Sequence, residues 1–215
     1  MRQILRFLTE FVSRNQRSAH MFMAVNYTIG DGLIASLPLV RSGFFTGLLA
    51  GHPDFGLAVS AYGQDPVPIF VAVLLIASSF FIGKGQFASG HAGYFLGALI
   101  ITFDLALHGE LWTAAAMTLT VVGGAFGAFY KPLERAFGNA GWSIIQNTLG
   151  SPKKMAGFCF SLTSLPTIFT SIHDGVWSLA GSGVCWLAGN CTSMLLPMDE
   201  DHIAKPVNVA VGSAE

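Results

Sequence analysis

Leu111–Tyr130 runs without a single charge, and Val67–Ile82 is a second charge-free run of Leu, Ile, Val and Phe. Apolar runs of about 18 residues or more are long enough to cross a bilayer core. They constrain the fold more than any motif does. Inside hydrocarbon every backbone N–H and C=O must be satisfied within the protein, which leaves helices and closed barrels. A membrane barrel would show short segments of alternating hydrophobicity, and none occurs. Charged residues are 11% of the 215-residue chain, against about a quarter in a soluble domain. The expected class is therefore an all-α polytopic membrane protein.

The apolar segments suggest about six transmembrane helices: Ala19–Val40, Val67–Ile82, Gln86–Leu107, Leu111–Tyr130, Met155–Ile172 and Val176–Leu196. Short links at Gly83–Gly85, His108–Glu110 and His173–Gly175 force neighbouring helices to run antiparallel. Cytoplasmic loops are enriched in Lys and Arg. An N-in, C-in arrangement puts Arg2, Arg6, Arg14, Arg17, Lys84, Lys131, Arg135, Lys153, Lys154 and Lys205 inside. Of the 11 basic residues only Arg41 then lies outside. A bacterial inner membrane is the expected location. The start of the chain carries arginines and no small-residue cleavage site, unlike a secretory signal.

Three units are expected: an interfacial segment 1–18, a transmembrane bundle 19–197 and a cytoplasmic tail 198–215. In the first, Ile4, Leu5, Phe7, Leu8, Phe11 and Val12 fall at helical spacing among Arg2, Arg6 and Glu10. Such an amphipathic helix lies on the inner leaflet or packs on the protein's own cytoplasmic face. Leu133–Leu149 carries a weaker version of the pattern. His52–Pro68, rich in Gly and Pro, reads as the longest outer loop.

The residue of most interest is Asp31, in "TIGDG" (Thr28–Gly32). Two readings compete. "IGDG" resembles "IGKG" (Ile82–Gly85) and "IHDG" (Ile172–Gly175), which read as hairpin tips, so Asp31 could mark a turn. Against this, Ala19–Val40 is 22 residues flanked by Arg17 and Arg41. At 1.5 Å per residue that is about 33 Å, one bilayer core. Splitting it at Asp31 leaves an 11-residue apolar piece too short to span alone, followed by a span Leu33–Gly51 with Pro38 and Arg41 near its middle, and moves Lys131, Arg135, Lys153 and Lys154 outside. The intact span is preferred, with Asp31 near the midplane. A carboxylate there costs at least about 2.5 kcal/mol on insertion scales and must be paired, protonated or turned inward.

Polar groups expected beside Asp31 are Asn26, Thr118, Thr120, Ser164 and Thr167, the last two flanking Pro166. His91 and Asn190, at similar depth, are candidates for an inner vestibule. Asp104, His108, Glu110, His173 and Asp174 group on the outer side, with Asp104, His108, His173 and Asp174 as the candidate ligands. His and carboxylates suit a divalent metal, although the pieces come from separate hairpins without diagnostic spacing. Gly93/Gly97, Gly123/Gly127, Gly181, Gly183 and Gly189 thin helix faces for close approach, within the chain or in a homo- or hetero-oligomer. The partner that composition demands is the lipid bilayer, and a net charge of −1 offers nucleic acid no basic face. Cys159, Cys185 and Cys191 form no CxxC pair. No HExxH, GxSxG or phosphate-loop context is present, and no motif points to a cofactor.

The function these features favour is a small transporter or channel-like protein with a polar site around Asp31. The alternative is a non-catalytic membrane subunit or assembly factor in which Asp31 ties helices together. An intramembrane enzyme using His91 or the outer His and acids is a third, weaker reading.

Overall fold

In the computed structural model the described residues are 2–83, 86–129, 132, 135–136 and 152–195. Among them the protein is helical, with no strand. The helices are α1 (Arg2–Arg14), α2 (Gln16–Ile34), α3 (Leu37–Arg41), α4 (Phe44–Leu49), α5 (Phe55–Gln64), α6 (Val67–Gly83), α7 (Phe87–Leu107), α8 (Leu111–Ala128), α9 (Pro152–His173) and α10 (Trp177–Leu195). Two stretches, Ala88–Leu107 and Leu111–Ala128, are each long and apolar enough to cross a membrane. Phe55–Gln64 and Val67–Ile82 pass the same test only as a pair, bent by 76°. The segments 133–149 and 198–215 discussed above lie almost wholly or wholly outside the described residues.

The long helices close into a ring that follows chain order. α2 packs on α6, α6 on α7, α7 on α8, α8 on α9, α9 on α10, and α10 returns to α2. Ile34, Leu37, Ile101, Leu105, Met117 and Leu179 fill the interior and are almost fully buried. Because neighbours alternate in direction, the bundle has two ends. One carries α1 and the close of α10; the other carries α3, α4 and α5. They are called below the α1 end and the Arg41 end.

Two hairpins turn on glycines that only a residue without Cβ occupies at ease. Gly109 (φ 80°) and Gly175 (φ 78°) follow α7 and α9 in the left-handed region. The amides of Glu110 and Val176 then reach back to Leu105 O (2.9 Å) and Ser171 O (2.8 Å), completing Schellman caps. Gly30 and Gly32 have no such φ and sit inside α2. The likeness of "IGDG" to the hairpin tips is therefore one of letters, and Asp31 is a helical residue.

The expected unbroken segment Ala19–Val40 is not continuous. α2 ends at Ile34, and Ala35 and Ser36 form a turn before α3. The break falls at Pro38, which has no N–H to donate to Ile34 O one turn back and sits instead in the first turn of α3. The turn is stabilised by Ser36 Oγ donating to Leu33 O (2.7 Å). The expected loop His52–Pro68 is also corrected, since it contains α5. Asp54 caps that helix by accepting from Leu57 N at 3.0 Å. Pro66 then forces Asp65 out of helical geometry (φ −132°, ψ 76°) and makes the bend into α6.

Small residues let helix backbones approach closely, and the glycines do so inside the chain. Gly93 and Gly97 face Ser78 and Leu75 of α6. Gly123 faces Cys159 and Phe160 of α9, and Gly127 faces the His91 ring. Gly183 faces Ile168 and Gly189 faces Tyr27. Faces that the sequence also offered to partner chains are thus taken up by this chain's own helices.

Two substitutions test this packing in opposite directions. A Cβ on Gly124 would lie 2.7 Å from Phe95 N and 2.8 Å from its Cα, both backbone atoms. Gly124→Ala should destabilise by about 1–3 kcal/mol in detergent unfolding. A Cβ on Gly32 meets nothing within 4 Å, so Gly32→Ala should be neutral or stabilising by up to about 1 kcal/mol. Equal stabilities for the two variants would contradict the seams described.

Candidate functional site: a buried carboxylate and a charged cluster

Asp31 is fully buried on the inner side of α2. Three side chains from three other helices donate to it. Trp186 Nε1 of α10 reaches Oδ1 at 2.9 Å. Tyr94 Oη of α7 and Ser79 Oγ of α6 each reach Oδ2 at 3.0 Å. Ser79 and Tyr94 also share a short hydroxyl–hydroxyl contact. Among the described residues no cation pairs with Asp31. The carboxylate is held by neutral donors alone.

Gly30 makes this geometry possible. A Cβ there would lie 2.8 Å from Trp186 Nε1 and Cδ1, so any larger residue would push the indole off the carboxylate. One turn toward the α1 end the arrangement repeats. Tyr27 Oη donates to Asn190 Oδ1 at 2.6 Å, and the Tyr27 ring lies over Gly189. Two consecutive turns of α2 and α10 are joined by an aromatic polar tip seated on a glycine.

The other interior candidates lie elsewhere. Asn26 donates to Phe22 O of its own helix. Thr118 is exposed and donates to Ala115 O. Thr120 and Thr167 are buried, and both hydroxyls lie against the sulfur of Met117 (3.9 and 3.8 Å). Ser164 donates to Phe160 O. None of these five bonds Asp31; its partners come from α6, α7 and α10 rather than from α8 and α9. His91 is buried and stacks on Phe160 (centroids 6.0 Å, 19°), and Phe160 also meets Tyr94 (5.8 Å). His91 and Tyr94 are three apart on α7 and share a face. Asn190 is buried as well, but its partner is Tyr27 rather than His91.

At the Arg41 end, Arg41 draws three acids together. Its Nε and Nη2 form a fork on Glu110 at 3.0 and 2.7 Å. Nη1 bonds Asp65 Oδ2 and lies 2.9 Å from Asp104 Oδ2. The segments tied are α3, the α5–α6 bend, the end of α7 and the start of α8. Burial opposes the Arg41 charge, but Glu110 and Asp104 outweigh it and hold the guanidinium more firmly protonated than usual. His108 Nε2 is 3.9 Å from Asp65 Oδ2. Asp65, Asp104 and His108 lie close enough to share a metal ion, but Arg41 already supplies positive charge to both carboxylates. His173 and Asp174 form a separate pair. Asp174 accepts from Thr113 N (3.0 Å) and Thr113 Oγ1 (2.9 Å), capping the first turn of α8. Burial raises the Asp174 carboxyl, but bonds from His173 and Thr113 leave it below the usual Asp range.

Ser79, Tyr94, Trp186 and Asp65 were not singled out by the sequence reading. Their signal was present but shared with many positions. Tyr94 falls three residues after His91, and Trp186 four before Asn190, each polar tip inside an apolar run. No family model, curated protein or solved structure matches this chain.

Two stability measurements follow. Trp186→Phe removes the donor to Oδ1 and should cost about 1.5–3 kcal/mol, whereas Trp177→Phe, at an exposed indole, should cost little. Equal small effects would contradict a bond that matters. Arg41→Met leaves three carboxylates uncompensated and should cost about 3–5 kcal/mol; a variant as stable as the parent would show that the cluster holds nothing together.

Proposed function

We propose that this protein is a small integral membrane transporter or channel-like protein in which Asp31 accepts and releases a proton. The observation that carries this reading is a fully buried carboxylate held by three neutral donors and no cation. An ionisable group in such a place is a functional candidate by default. The donor set suits proton exchange. Trp186 N–H donates whether or not Asp31 is charged. The hydroxyls of Ser79 and Tyr94 can rotate, so one of them accepts from a protonated Oδ2. The carboxyl changes state without a helix having to move. Tyr94, Phe160 and His91 continue in side-chain contact from the site toward the α1 end.

On this reading the six long helices span a bacterial inner membrane, with α1 and the C-terminus cytoplasmic. The distribution of Lys and Arg supports this orientation. Exposed Trp112 and Trp177, opening α8 and α10, suit an interfacial belt at the Arg41 end. Ile34, Leu37, Ile101 and Leu105, all fully buried, then form an apolar barrier between Asp31 and the Arg41 cluster.

The alternative reading, a non-catalytic subunit or assembly factor, is favoured by one feature. The donors to Asp31 come from three helices, which is also what a purely structural staple requires.

Reconstitution separates the two. Parent protein in liposomes with an internal pH dye should show proton flux, alone or on addition of a solute. Asp31→Asn should abolish it while circular dichroism and melting stay close to the parent. Absence of flux in the parent, or equal flux in Asp31→Asn, would sink the transport reading. A co-purifying partner lost on Asp31→Ala would favour the subunit.

A further inference from the structure

We infer that α1 is a docking surface for anionic lipid headgroups at its end of the bundle. At about 100° per residue, Ile4, Leu5, Phe7, Leu8, Phe11 and Val12 fall within one arc of the α1 sequence, about 160° wide. Arg2, Arg6, Thr9, Glu10, Ser13 and Arg14 occupy the rest. Among the described side chains, one edge of the apolar arc is covered by the protein. Val12 is buried against Ala19, Met23 and Leu195, where α1 meets α2 and α10. The other edge is open: Phe7 is 66% exposed and Phe11 56%, their rings stacked on one another at 6.4 Å. The described part of the protein does not hide these rings.

Three observations identify the occupant. First, the open face continues along the chain into exposed Met21, Phe22, Val25 and Ile29 of α2. That side of α2 is apolar and open among the described residues, as a lipid-facing side is. Second, residues 2–17 carry Arg2, Arg6, Arg14 and Arg17 against Glu10, a charge of +4 − 1 = +3, in a chain of net charge −1. Third, aromatic side chains beside arginines on a helix of this pattern match the boundary between acyl chains and headgroups. Clustered Lys or Arg there are drawn to anionic lipid over a neutral surface. A protein groove would accept the phenyl rings but gives no reason for the arginines. The inference does not depend on what Asp31 does.

The test uses the full chain in lipid nanodiscs whose acyl chains are brominated. Phe11→Trp adds one fluorophore at an exposed position, and the parent's tryptophan signal is subtracted. Phe7→Trp serves as a second reporter should the first misfold. The added indole should be quenched, and roughly twofold more strongly with phosphatidylglycerol than with phosphatidylcholine alone. Replacing Arg2, Arg6, Arg14 and Arg17 together by Gln should remove that difference. An indole unquenched in both lipids would overturn the inference and point to a protein partner. Equal quenching in both lipids, unchanged by the Gln variant, would overturn its anionic part.

Discussion

A carboxylate taken out of water must find all its hydrogen bonds inside the protein, and Asp31 finds them on three other helices. That requirement organises the middle of the bundle. It brings Ser79, Tyr94 and Trp186 to one point. It demands Gly30, because the indole must pass where a side chain would stand. It fixes the faces that α2 and α10 present to one another, so that Tyr27 and Asn190 pair one turn further on. An unsatisfied carboxyl in an apolar interior would cost several kcal/mol. The alternative arrangements of these helices are disfavoured by that amount.

The two ends use different physics. Close to the Arg41 end polar groups are concentrated, and one guanidinium neutralises part of the charge of three acids from separate segments. Such clusters contribute less by net attraction than by the penalty for breaking them. They therefore fix how α3, the α5–α6 bend, α7 and α8 meet. Between the cluster and Asp31 the interior is filled by the buried side chains of Ile34, Leu37, Ile101 and Leu105. At the α1 end, α1 contributes one buried edge and leaves its aromatic face open.

Much of the helical fold was legible in the sequence, because long apolar runs announce helices by composition. The apolar segments and the described helices α6 to α10 agree within a few residues. Helix boundaries set by side-chain chemistry were less legible. The break after Ile34 follows from Pro38 acting one turn after a residue that span length favoured keeping helical. α5 hides in a Gly- and Pro-rich stretch because Asp54 caps it. At the site, Asp31 was visible as a charge in an apolar run. Its partners were not, since the ring brings together positions 48, 63 and 155 residues away in sequence. Hydroxyls at matching depth, such as Thr118, look equivalent in sequence, and only the rotation of each helix separates an inward Ser79 from an outward Thr118. The meaning of "GDG" likewise depends on packing: the first glycine seats Trp186, and the second faces open space.

The central claim is that the Asp31 carboxyl changes protonation inside a closed, folded ring. Infrared difference spectroscopy of the protein in lipid, titrated from acidic to alkaline pH, reads this directly. The parent should show the carbonyl stretch of a protonated buried carboxyl that disappears as pH rises, and Asp31→Asn should lack it. Parent and Asp31→Asn spectra that titrate identically would contradict the account.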